Sequence, residues 1–158
     1  MKFMKKMREV KHGGASFWYT DNDVCEDIDI DDDVEELEID LDYDGDAFWD
    51  EVDKVFPNVK KIHINENVYY ISMKNSMLPN VREVTSDSPE FYGGDMLVEE
   101  NDGTVLLNTF CKKAGEVINL DGIDMIAANA FNGCESINII NTEYVSICSE
   151  GAFKNSAV

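Results

Sequence analysis

The feature that most constrains this chain is a pattern that returns. An apolar residue, two of any kind, then apolar–x–apolar opens VEELEI (34–39) and VKKIHI (59–64), and recurs more loosely in VREVTS (81–86) and INIINT (137–142). Val34 to Val59 is 25 residues and Val59 to Val81 is 22. A second marker precedes three of these stretches: FPNV at 56–59, LPNV at 78–81 and FNGCESI at 131–137. Phe56 to Leu78 is 22 residues, and so is Phe131 to Phe153. A unit this short cannot bury its own apolar side, so units with strand-like alternation and a fixed period stack into a solenoid. Alternate strand residues face the same way. Leu37, Ile39, Ile62, Ile64 and Val84 are therefore expected on one inward row, with the marker Phe or Leu closing each coil from the opposite wall.

The same alternation defines an outward row, the default recognition surface of such a fold. It comprises Glu36, Glu38, Lys61, His63, Glu83, Thr85, Glu116, Ile118 and Ile139. The period breaks once, between Leu78 and Phe131, a gap of 53 residues. Within it, MLVEE and TVLLNTF flank Asn-Asp-Gly, a strong hairpin signal because these residues tolerate positive φ. Residues 96–110 are predicted to form a β-hairpin, carried on an inserted segment at about 91–110.

A chain of 158 residues is long enough to bury a core as one domain. Its charge is extreme: 33 acidic against 13 basic residues, or −20 at pH 7. Such a field opposes nucleic acid and anionic membrane surfaces and favours a cationic partner. Residues 21–53 hold 18 of the acidic residues and no basic one. No window approaches the roughly 18 consecutive apolar residues of a membrane span. The basic start, MKFMKKMREVKHGGAS, is not followed by the apolar core of a signal peptide. The chain as given reads as cytoplasmic. Cys25, Cys111, Cys134 and Cys148 are even in number but scattered with no C-x-x-C pair, which reads as buried free thiols in a reduced compartment and leaves disulfides open for an exported chain.

GIDMIAANAFNGCESINII (122–140) resembles the leucine-rich repeat of the BspA-like subtype. Gly122, Ile123, Ile126, Ala130, Phe131, Gly133, Cys134, Ser136, Ile137 and Ile140 fall on its pattern. The segment with Tyr92, Asp95, Leu97, Asp102, Gly103 and Leu107 is similar to an element common in the same family. The resemblance is good over about 91–158, fair over 54–90, weak over 34–53, and does not reach 1–33. It implies a right-handed solenoid, a β-rich α/β superhelix of irregular repeats with short helices. It also implies a non-catalytic protein-binding role and, as the alternative to a cytoplasmic one, a place in export or at a bacterial surface.

Each candidate site has a plainer rival. A reactive Cys134 would need a cation, metal or helix N-terminus to lower its pKa, and Asn132, Gly133, Glu135 and Ser136 supply none. The resemblance makes it a small structural residue under the coil, and Cys148 similarly. Only His12 and His63 could serve a Cys/His hydrolase, and His63, between Ile62 and Ile64, faces away from the core. No catalytic residue, cofactor or metal site is assigned. DLDYDGDAFWDE (40–51) matches a Ca²⁺ loop, with Asp at positions 1, 3 and 5, Gly at 6 and Glu at 12. No amphipathic helix precedes it, however, and Ala47 replaces the usual larger apolar residue. The rival reading is a solvated acidic loop leading into a short helix, AFWDEVDKVF (47–56), that buries Phe48, Val52, Val55 and Phe56. In DIDIDDDVEELEID, Ile28, Ile30, Val34, Leu37 and Ile39 alternate with carboxylates, which suggests strands with one buried face. Phe17, Trp18 and Tyr19 suit a cap over the first coil.

The expected organisation is an acidic and aromatic arm and cap over residues 1–33 and a repeat domain over 34–158. Its expected function is protein binding through the outward row. The alternative is an acidic, Ca²⁺-binding regulator or inhibitor of a basic protein. GAFKNSAV ends where another strand would begin, so an edge that pairs with another molecule, or a partly ordered last coil, is expected there.

Overall fold

The structure is a computed structural model that describes residues 8–20, 24–41, 45–100, 102–135 and 137–156. Its strands run β1 (Arg8–His12), β2 (Ala15–Tyr19), β3 (Cys25–Ile30), β4 (Glu36–Ile39), β5 (Gly45–Phe48), β6 (Lys61–Ile64), β7 (Val68–Ser72) and β8 (Glu83–Ser86). They continue as β9 (Phe91–Tyr92), β10 (Leu97–Glu100), β11 (Thr104–Asn108), β12 (Val117–Asn119), β13 (Met125–Ile126), β14 (Asn138–Ile140) and β15 (Ile147–Cys148). The described residues contain no helix.

The recurring pattern becomes a stack of parallel strands, a β-solenoid of about five turns. In one sheet β6 lies between β4 and β8, with Leu37 beside Ile62 and Ile62 beside Val84. Ile39 is likewise beside Ile64. All five of the residues expected on the inward row are buried. Each is worth about 1.5–3 kcal/mol relative to exposure, and none could gain it without a neighbouring coil. A second strand of each coil makes the other wall, where β5 pairs with β7 in parallel. In the C-terminal half β11, β13 and β15 form one parallel stack, and β12 with β14 the other. Two apolar clusters fill the interior, one running from Ala15 to Phe110 and one from Met96 to Ala152.

Over the first coil, β1, β2 and β3 form an antiparallel meander. Its alternation sends Phe17 and Tyr19 inward and leaves Trp18 half-buried. Phe17 stacks on Trp49 with ring centres 5.2 Å apart, and the Trp49 indole donates to the Tyr19 hydroxyl at 3.3 Å. Ile28 and Ile30 complete the buried face, while Glu26 and Asp29 stay in solvent.

Three expectations are corrected. No helix occupies 47–56: Ala47 and Trp49 are buried and Phe48 between them is exposed, a period of two that continues β5. Val55 is exposed as well, because turns follow and leave no helical face to bury. The short helices implied by the repeat resemblance are therefore missing from the described residues. The hairpin forms, with β10 antiparallel to β11 and Asp102 and Gly103 at φ 49° and 130°. Yet it is not simply an insertion. β11 is itself the first strand of the next stack, pairing with β13, and β9 and β10 widen that sheet beyond it. The marker row also has a member that spacing alone hides. Phe110 is fully buried, and Asn108-Thr109-Phe110 stacks against Asn129-Ala130-Phe131 through the Thr109 N–H to the Ala130 carbonyl at 3.2 Å.

Candidate functional site

Six of the nine residues expected on the outward face come together. Register places Glu36, Lys61 and Glu83 in one row across β4, β6 and β8, and Glu38, His63 and Thr85 in the next. Lys61 Nζ lies 3.7 Å from Glu36 and 3.8 Å from Glu83, so one cation bridges two carboxylates from neighbouring coils. His63 spans its coil and the next: Nε2 is 3.0 Å from Asp87 Oδ2, and Nδ1 is 2.6 Å from Thr85 Oγ1. A carboxylate can only accept, so Nε2 carries the proton that it donates to Asp87, and Nδ1 pairs with the Thr85 hydroxyl. Asn65 donates to Glu38 at 2.7 Å. Gly13, from the turn between β1 and β2, borders a shallow depression of about 240 Å³ lined also by Glu36, Glu38 and His63. Asp87 was missed as part of this surface, although the alternation of Glu83 and Thr85 continues to it.

The other three expected residues stand elsewhere. Glu116 lies before β12 and holds Arg82 in a two-pronged pair, at 2.6 Å to Nε and 2.9 Å to Nη2. Ile118 is fully buried, and Ile139 is half-buried against the second core. In V-I-N and N-I-I apolar residues are consecutive, so the pattern does not state which one faces in. A shift of one residue reverses the face. Val117 and Ile140 are the exposed members instead.

The cysteines fall into distinct environments. Cys134 is buried, with Thr109 Oγ1 3.1 Å from its sulfur and the Asn75 amide at 3.8 Å. Cys25 is also buried, and burial pushes its thiol up to about 12. Cys111 is raised too, by burial and then by the charges of Cys134 and Glu135. Cys148, expected under a coil, is exposed on β15 at the sheet edge, because no strand of the described residues lies beyond it. Tyr144, Ile147 and Phe153 share that exposure.

Among the described residues, no three or more His, Cys, Asp or Glu side chains are arranged to hold a metal ion. Of the Ca²⁺-loop match, Asp42, Tyr43 and Asp44 and the side chain of Asp46 lie outside the described residues. Asp40 accepts from Asn67 Nδ2 at 2.8 Å, and Glu51 is exposed. No helix among the described residues is long and apolar enough to cross a membrane. No protein-family model matches the chain, and neither a curated protein nor a solved structure matches it.

Proposed function

We propose that the chain is a non-catalytic protein-binding module built on irregular, BspA-like leucine-rich repeats, with the outward face of β4, β6 and β8 as its recognition surface. The observation that carries this reading is the register. Glu36, Lys61, Glu83, Glu38, His63 and Thr85 come from three successive coils and form one ladder, and the core needs none of them. Exposed ion pairs contribute little to stability, at most about 1 kcal/mol each, so this composition is free to serve recognition. Around Lys61 the carboxylates of Glu36, Glu38, Glu83 and Asp87 outnumber the cation, which suits a partner presenting basic groups. A second reading rests on the net charge of −20: an acidic regulator that holds a basic protein through its overall field.

Capture of partners by the full chain separates the two. Glu36→Lys/Glu83→Lys changes the ladder, whereas Glu26→Lys/Asp29→Lys changes equal charge on β3. A partner lost only with the first pair, and retained at about 0.5 M salt where screening acts within a few Å, supports the strand face. Weakening by either pair, with release at that salt, supports the field-driven regulator. A partner indifferent to both pairs would sink both readings.

A further inference from the structure

A cavity of about 380 Å³ opens on a different part of the molecule, where the turn after β7 meets the end of β11 and the turn after β13. Its size lies in the range of roughly 300–1,000 Å³ typical of small-molecule sites. Its walls are set by fixed elements. Asn75, almost wholly buried, accepts from the Thr109 N–H at 2.9 Å and donates to the Asn132 carbonyl at 2.8 Å, locking the two turns to one another. Thr109 Oγ1 donates to the Ala130 carbonyl at 2.7 Å. Asn108, 2% exposed, accepts from the Phe110 N–H at 2.7 Å. Its Nδ2 donates to the Met73 carbonyl at 3.5 Å.

We propose that this cavity binds a neutral saccharide. The lining excludes the other simple chemistries in turn. An anion would meet Asp50 in the wall and the net charge of −20 around it. A cation would meet the Lys74 ammonium on the same wall as Asp50. A purely apolar ligand would displace water from Asp50, Asn129 and Asn132 in the wall and return no hydrogen bond, and a polar group left unpaired costs about 1–3 kcal/mol. What fits is a neutral molecule that both donates and accepts. Amides such as Asn108 and Asn132 and the Asp50–Ser72 pair offer both roles to hydroxyl groups, and bonds to a carboxylate are the stronger kind. Leu107 and the small Ala127 and Ala128 supply an apolar strip for the C–H face of a sugar ring, with Tyr70 in the same lining. An extended peptide would need an open strand edge for its own backbone groups. On β11, which borders the cavity, both edges are taken, by β10 and β13, whereas β7 pairs with β5 alone among the described strands, so a peptide is the rival that a triglycine amide tests.

The test uses the full, isotope-labelled chain titrated with glucose, galactose, mannose and N-acetylglucosamine, each to about 50 mM, enough to populate a site of millimolar Kd. At least one sugar is expected to shift the Asn108 and Asn132 amide signals and the backbone of 70–76 and 127–132. Ala128→Trp fills the cavity from an exposed position and should weaken that response at least tenfold while leaving the remaining spectrum in place. Asp50→Ala, also at an exposed position, should weaken it without lowering Tm. No saturable shift with any of the four sugars overturns the proposal. So does an unchanged response in both variants, or an equal response to a neutral triglycine amide.

Discussion

Phe131 and Cys134 show what single residues do in a fold made of coils. Phe131 is fully buried and stacks on Phe153, ring centres 4.5 Å apart and planes 22° from parallel. Phe153 repeats the same contact one coil later but is more than a third exposed. Identical residues at identical repeat positions therefore carry different weights. Phe131→Ala should lose about 3–5 kcal/mol, the usual cost of a large buried cavity, and Phe153→Ala less than half of that. Urea midpoints of the two variants measure it, and equal losses would contradict the packing described. Cys134 was legible as structural because no cation neighbours it in sequence. Its partners, Thr109 and Asn75, were not, since they lie 25 and 59 residues away and belong to other coils.

At the scale of elements, register is set by alternation where apolar and polar residues strictly alternate, and is ambiguous where they do not. K-I-H-I and E-L-E-I fixed the faces of β6 and β4. V-I-N and N-I-I did not, and there Ile118 and Ile139 turned inward. The segment 47–56 offers apolar residues at helical spacing, yet its first residues pair with β7 as the end of β5 and the rest follows as turn and irregular chain. The Arg82–Glu116 pair ties the turn before β8 to the turn before β12, and Arg82 also donates to the Val81 and Phe110 carbonyls. Burial by itself raises the Glu116 carboxyl, but the Arg82 hydrogen bond, the Lys113 N–H and the Arg82 charge together hold it below its ordinary 4.5. A carboxyl lowered in the folded state stabilises above its unfolded value, and that contribution is lost as pH falls through the folded one. Arg82→Ala should therefore cost about 1–2 kcal/mol at neutral pH, discounted for partial exposure. The gap from wild type should narrow below pH 4.5. A gap independent of pH would mean that the carbonyl contacts, not the ion pair, matter.

For the whole molecule the dominant quantity is charge. At −20 over 158 residues the folded chain repels itself, and the described acids of 24–41, such as Glu26, Asp29, Glu36 and Glu38, lie on the meander and the first coil. Screening shortens the reach of that repulsion from about 30 Å at 0.01 M salt to about 10 Å at 0.1 M. Tm should accordingly rise as sodium chloride is raised from 10 to 500 mM, before any specific ion effect. A Tm that falls or stays level over that span would show that attractive pairs such as Lys61 with its two glutamates outweigh the net repulsion. Stacked coils share long apolar walls, so the loss of one anchor should be felt by its neighbours through the contacts that bury both.

The sequence by itself determined the coil period, the inward row of Leu37, Ile39, Ile62, Ile64 and Val84, the hairpin turn at Asp102-Gly103 and the inward aromatics of the cap. Each of these is a local rule: alternation, turn chemistry or the inability of a short unit to bury its own face. Only the tertiary structure decided that β11 belongs to both the hairpin and the stack, and that 47–56 is strand end and turn rather than helix. It also decided which isoleucine of β12 and β14 faces in, and it opened a cavity between two turns and the end of β11. Those outcomes depend on groups 20 to 60 residues apart competing for the same space and the same hydrogen bonds, and no local pattern records which of them wins.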